Sequence, residues 1–158
     1  MTKVNPIPQG YHAITPAIVV KNTRKALEFY KKAFGAVPAH DVCEMPDGKI
    51  GHAELQIGDS KIMLSDEFQE FGCVAPQGQA ASQHLYLYVK DVDATFKTAV
   101  AAGVKALMPL TNQFWGDRMA VVVDPFGHRW SLATHVEDLT PEQMKERMEQ
   151  QYGAHAGK

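Results

Sequence analysis

The sequence predicts an α+β fold made of two tandem βαβββ modules, and two observations carry that prediction. Stretches that alternate apolar and polar residues, the period of a half-buried strand, flank stretches with the 3.6-residue spacing of an amphipathic helix. That order of elements then runs twice. Val20-Lys21-Asn22 aligns with Val89-Lys90-Asp91 at an offset of 69 residues; Gly35 aligns with Gly103, and Ile62-Met63-Leu64 with Trp130-Ser131-Leu132, at an offset of 68. One half alone has too little surface to bury a sheet face, so the halves are expected to pair, within or between chains. The chain of 158 residues reads as a single domain: module 1 over about 12–67, a linker over 68–81, module 2 over about 82–135 and a helical tail over 140–152.

Each element has a local cause. Residues 1–11 form a polar, proline-containing arm. Ile14–Val20 is apolar and β-branched, and Pro16, which cannot donate to a ladder, marks an edge or a strand start. Asn22 or Thr23 caps a helix over roughly 23–34, with Ala26, Leu27, Tyr30, Ala33 and Phe34 at helical spacing and Gly35 ending it. Val37–Met45 reads as one strand, followed by a Pro46-Asp47-Gly48 turn. His52, Glu54 and Gln56 alternate with Ala53, Leu55 and Ile57; a turn at Gly58 leads into a strand over 61–65, and Asp66-Glu67 is expected to be a solvated turn. In the second module His84–Val89 alternates, and Asp91 caps a helix that Gly103 ends. Strands follow over 104–110, 119–123 and 129–133, with an Asp124-Pro125-Phe126-Gly127 turn before the last. Thr140, Pro141 and Gln143 form a capping box; the helix they open is mostly charged, which places it on the surface or against a partner chain.

Composition excludes several classes of function. The net charge is -2 and no basic stripe is present, so nucleic acid is not an expected partner. No apolar run approaches the ~18 residues that span a bilayer, and the first ten residues lack the apolar core of a signal peptide. No membrane partner is expected, and the expected address is cytoplasmic. Cys43 and Cys73 make no disulfide framework and read as small buried hydrophobes in a reducing compartment. The glycines match no nucleotide-binding fingerprint, and no nucleophile elbow or Ser/His/Asp or Cys/His triad is visible.

Several stretches together resemble the vicinal oxygen chelate (VOC) superfamily, which holds glyoxalase I, bleomycin-resistance proteins, fosfomycin-resistance enzymes and extradiol dioxygenases. They are Ile14-Thr15-Pro16, Ala26–Tyr30 followed by Phe34-Gly35-Ala36, Gly51-His52-Ala53-Glu54-Leu55 before Ile57–Ser60, and Asp124-Pro125-Phe126-Gly127-His128-Arg129-Trp130. The likeness covers about residues 12–135 and is closest to the PhnB-like branch. It implies curved mixed sheets around a cavity, and a homodimer in which both chains can supply cavity walls. It also implies, for metal-using members, a His on the first strand and a Glu on the last strand before a Leu. These hold a divalent ion that chelates adjacent substrate oxygens. By the repeat, those positions are Thr15, Met63, His84 and Ser131, and His84 alone keeps the residue type. Hydroxyls and a thioether are poor ligands for Zn, Mn, Ni or Mg, so the metal is disfavoured and no cofactor is expected. A displaced site from His52, Glu54 and His84 stays open.

Strand alternation assigns a cavity face. Tyr86 and Tyr88 are in phase with His84, Ala17 and Val19 with Thr15, Arg129 and Ala133 with Ser131, and the repeat adds His52, Glu54, Gln56, Arg118, Ala120 and Val122. Two chemistries fit this face. One is metal-independent binding of a small organic ligand by Thr15, Tyr86, Tyr88, Trp115, Arg118 and Ser131, the tyrosines stacking on a flat ligand. The other is an enzyme of lyase, isomerase or dioxygenase type, with His52, Glu54 and His84 as catalytic proton-transfer groups or around a displaced metal. Structural roles stay open beside these. His84 can be a polar wall residue, His52–Glu54 a cross-strand pair, Tyr86–Tyr88 packing, Trp115 a loop anchor and His12 a surface residue. Trp130 reads as core under a helix, and Met63, Met108 and Met119 as core filling.

Overall fold

The computed structural model describes residues 4–78 and 80–153. The chain divides into two compact units, Met1–Ala81 and Ser82–Lys158. The first contains β1 (Ala17–Val19), α1 (Thr23–Phe34), β2 (Val37–Pro38), β3 (Cys43–Glu44), β4 (Ile50–Ile57) and β5 (Ser60–Ser65). Its sheet runs β1-β5-β4-β2, with β3 also on β4; β1 is parallel to β5 and the other pairs are antiparallel. The second contains β6 (His84–Tyr88), α2 (Val92–Ala102), β7 (Lys105–Asn112), β8 (Asp117–Val123), β9 (Arg129–His135) and α3 (Pro141–Tyr152). Its sheet repeats the first: β6-β9-β8-β7, with β6 parallel to β9. Each unit is therefore a βαβββ module with an open mixed sheet, and the fold is α+β.

Each unit buries one sheet face under its own helix. In the first, Ile18, Val20, Ala53, Leu55, Ile62 and Leu64 are buried with Ala26, Tyr30 and Ala33 of α1. In the second, Ala120, Val122, Trp130 and Leu132 are buried with Val92 and Ala99 of α2. The helix ends follow from the caps. The Asn22 and Asp91 side chains accept from the N–H groups of Lys25 and Ala94, and Gly35 stops α1 at φ +67, a left-handed conformation that a β-carbon would strain.

A second device fixes where each helix begins. Asp66 Oδ1 accepts from the N–H and hydroxyl of Thr23 at 2.7 and 2.9 Å, while Oδ2 accepts from Ile50 N–H at 2.7 Å. Asp66 thus clamps the first turn of α1 to β4 and is no solvated turn. The equivalent residue in the second unit is Thr134, whose hydroxyl accepts from Val92 N–H at 2.9 Å and donates to the Val89 carbonyl at 2.8 Å. Glu67 is also engaged, accepting from Ala75 N–H and the Gln77 amide.

The strand expected over Val37–Met45 is broken into two short pieces, both on β4. Pro38 has no N–H to continue the ladder, and pairing shifts register between Cys43 and Glu44. The break leaves His40 off the ladder, where its ring turns toward β4. The cysteines depart from expectation too: Cys43 is exposed, Cys73 is half-buried and both are free thiols. Met108 is exposed, not core. No helix among the described residues is long and apolar enough to cross a membrane.

Asp66→Ala should strand the N–H and hydroxyl of buried Thr23 and the N–H of buried Ile50. We expect a loss of about 3 kcal/mol in denaturant unfolding, well above the loss for a surface Asp→Ala control. A loss no larger than the control's would show that the clamp does not hold the helix.

Candidate functional site

On the first unit's other sheet face, the register sets Ala17 beside Met63 and Met63 beside Glu54, with His52 two residues back along β4. The N-terminal arm lies over this face. The Tyr11 hydroxyl donates a short hydrogen bond to Glu54 Oε2, and Lys61 Nζ rests 4.0 Å from the centre of the Tyr11 ring. Between arm and sheet is a cavity of about 540 Å³, lined by arm residues such as Ile7, Tyr11 and His12 together with Thr15, His40, Glu54 and Met63. His12 is exposed, the surface position expected for it, and it also borders the cavity. Thr15 lies just ahead of β1, and its hydroxyl donates to the His12 carbonyl at 3.4 Å.

Glu54 is the buried charge of this site, with 7% of its surface exposed. His52 Nε2 stands 2.8 Å from Oε1, and because a carboxylate only accepts, that nitrogen carries the proton. His40 Nε2 lies 3.6 Å from Oε2. Burial pushes the Glu54 carboxyl up, but the hydrogen bonds from Tyr11 and His52 and the two imidazoles outweigh it, and the group ends below its usual range. The same bond to Glu54, followed by burial, pushes the Tyr11 hydroxyl up. Of the three expected proton-transfer residues, the first unit brings His52 and Glu54 together. His84 belongs to the second unit, where its Nδ1 shares a hydrogen bond of 2.9 Å with the hydroxyl of fully buried Ser131. Tyr11 and His40 were missed, because the arm and the strand break that deliver them carry no periodic signal.

The second unit gathers a different centre on the face that carries His84. Asp117, with 2% of its surface exposed, accepts at Oδ2 from Tyr88 (2.8 Å), Trp115 Nε1 (3.1 Å) and Tyr86 (3.2 Å). Its Oδ1 faces His135 Nδ1 at 2.8 Å, and the other ring nitrogen of His135 faces Asp138 at 3.0 Å. Both carboxylates only accept, so the geometry favours the doubly protonated ring, and the bonds to Asp138 and then Asp117 hold the His135 pKa above the ordinary value. Burial pushes Asp117 up, but its four hydrogen bonds, led by His135, leave it below the usual carboxylate range. Burial, then the neighbouring Tyr88 and Asp117, pushes the Tyr86 hydroxyl well up. The hydroxyls are thus fixed inward, while the tyrosine rings stay 45% and 59% exposed with centroids 5.0 Å apart.

Trp115 anchors a loop. It packs on Met119, Val121 and Ala133, and the next residue, Gly116, sits at φ +95 where a β-carbon would fall 2.1 Å from the Glu137 carbonyl. Arg118 needs correction. It lies on the helix-covered face, forked onto Asp93 of α2 at 2.7 and 2.8 Å, and does not share the face of Ser131. The ladder sets Val121, not Val122, beside Ser131, so Asp117, Met119 and Val121 take the face expected for Arg118, Ala120 and Val122. Arg129 and Ala133 stay in phase with Ser131 as expected.

The donors at the implied metal positions do not fit a divalent ion. Thr15 offers a hydroxyl and Met63 a thioether, while His84 has one nitrogen engaged by Ser131, itself fully buried. Among the described residues no group of three or more His, Cys, Asp or Glu is arranged to hold a metal.

Comparison with known proteins agrees with the frame. The uncharacterized protein Rv0887c of Mycobacterium tuberculosis is 38% identical over 143 residues, which cover 88% of this chain and 84% of that one. The crystal structure of TioX from Micromonospora sp. ML1 superposes with a TM-score of 0.61 at 26% identity, covering 79% of this chain and 99% of that chain. The PhnB protein from Bacillus cereus shares the fold, with a TM-score of 0.60 at 17% identity over 78% of this chain and 99% of that chain. The family described as the glyoxalase/bleomycin resistance protein/dioxygenase superfamily matches residues 11–132, and the chain belongs to it.

Proposed function

We propose that this protein binds a small organic molecule in the cavity of its first unit, without a metal. The observation that carries the reading is the cleft itself: about 540 Å³, open to solvent, with the chain's own arm on one side and a buried, hydrogen-bonded carboxylate on the other. A volume of that order, mostly apolar with a few converging polar groups, suits a small organic ligand. Glu54 supplies the polar anchor, His40 and Thr15 supply further polar contacts, and Ile7 and Met63 supply apolar wall. The exposed tyrosine rings of the second unit, pinned by Asp117, offer a stacking surface of their own.

A second reading draws on the 2.8 Å contact between His52 and Glu54. A carboxylate that orients an imidazole can act with it in proton transfer, which would make the cavity an active site of lyase or isomerase type. Turnover in a substrate screen that Glu54→Gln abolishes while ligand binding persists would favour this reading over simple sequestration.

Three outcomes test the proposal. In a thermal-shift screen of aromatic and polar metabolites, at least one compound should stabilise the wild type. Tyr11→Phe should then weaken binding by about fivefold, since it removes one hydrogen bond that closes the arm on the floor. A library that yields no stabilising compound would defeat the proposal. Elemental analysis of dialysed protein should find no stoichiometric divalent ion; a full equivalent that is lost in His84→Ala would overturn the metal-free part. The third outcome concerns pH. A carboxyl whose folded pKa lies below its unfolded one adds stability that is present above the unfolded value and vanishes as pH falls through the folded value. Glu54 is of this kind, so Glu54→Gln should lose less stability than the wild type between pH 6 and pH 3. Parallel pH curves for the two proteins would refute that assignment.

A further inference from the structure

The charge of the cavity wall narrows the class of ligand. Among the lining residues Glu54 is the sole Asp, Glu, Lys or Arg. It is buried, and its partners are the neutral Tyr11 hydroxyl and the imidazoles of His52 and His40. No lysine or arginine pairs with it among the described residues. The nearby Lys61 ammonium lies on the ring of Tyr11 instead, which also shows that this ring takes a cation on its face. Two accepted hydrogen bonds leave lone pairs of the carboxylate free, since two such oxygens offer about four acceptor sites. An anion would meet the charge of Glu54 with no lysine or arginine among the lining residues to offset it, whereas an ammonium would gain charge-assisted hydrogen bonds. The remaining wall is largely apolar, with Ile7, Ala13, Met63 and two prolines.

We propose that the cavity selects small organic cations: protonated amines with an apolar or aromatic body, the ammonium on Glu54 and the body against Ile7 and Met63. This rests on the reading of the cavity as a ligand site, and the following experiment separates the two. Three probes of similar shape and different charge, phenethylammonium, 2-phenylethanol and 3-phenylpropionate, are titrated calorimetrically into the intact protein at about pH 8, above the ordinary histidine range. The ammonium should bind at least about tenfold more tightly than the alcohol, and the carboxylate more weakly than either. Glu54→Gln should bring ammonium and alcohol to within about threefold of each other, while Tyr11→Phe should weaken both alike and keep their ratio.

An alcohol or carboxylate that binds as tightly as the ammonium overturns the selectivity and leaves the cavity as a ligand site. A preference that survives Glu54→Gln places its source elsewhere and also overturns the proposal. Failure of all three probes to bind overturns it too, and the broader metabolite screen then decides the fate of the cavity by itself. Comparison of the probes on the wild type is decisive even where Glu54→Gln does not fold.

Discussion

A carboxylate taken out of water must be met by donors, or it protonates and loses its charge. Each unit of this protein buries one such acid on the sheet face away from its helix, and the surrounding structure follows from that requirement. Glu54 draws Tyr11 down from the arm, His52 from its own strand and His40 from the broken strand beside it. Asp117 draws two tyrosines, a tryptophan and a histidine. In the first unit one donor, Tyr11, comes from a distant segment that stands off the sheet, so a cavity remains beneath it. In the second the donors come from neighbouring strands and an adjacent loop, so the rings close on the acid and their faces turn outward.

The two modules share a frame and differ in chemistry, and the ladders show where they part. Ala17 opposite Met63 corresponds to Tyr86 opposite Ser131, and the Asp66 clamp corresponds to the Thr134 clamp. The residue opposite Met63 on the third strand is Glu54, while the residue opposite Ser131 is Val121. The carboxylate of the first module is thus a valine in the second, whose acid lies farther along the strand, opposite His135. Duplication preserved what holds helix to sheet and left free what faces away from the helix.

Much of this was legible in the residues, and the failures have identifiable causes. Caps at Asn22, Asp91 and Thr140 and stops at Gly35 and Gly103 are local chemistry, and all five operate as read. The face of Arg118 was misread because the repeat offset that aligns β5 with β9 does not hold for β8. The hairpin turn between β8 and β9 is one residue longer than its counterpart, with three residues between Asp124 and His128 against two between Ile57 and Ser60, and a one-residue slip moves every side chain of a strand to its other face. Periodicity gave no warning, since Met119 to Val122 are buried on both faces. Asp66 was read as solvent-facing because a lone acid after a strand looks alike whether it meets water or a helix N-terminus. Glu54 and His52 were visible by alternation, but Tyr11 and His40 lie in segments without regular structure, where sequence spacing says nothing about proximity.

That division bears on how chemistry is carried on this fold. A metal centre needs several side chains of fixed type at fixed points on regular strands, and those points here hold Thr15, Met63, His84 and Ser131. A site built around one buried carboxylate makes a looser demand. It needs a single acid on a strand and donors from whatever segment can reach it, and here an irregular arm and a strand break meet that demand. Under the proposed function, the identity of the ligand would depend less on the sheets, which the family shares, than on the segment laid across them. Residues 4–13 supply most of the cavity wall, so relatives that keep the strands and change this arm would keep the fold while changing the ligand.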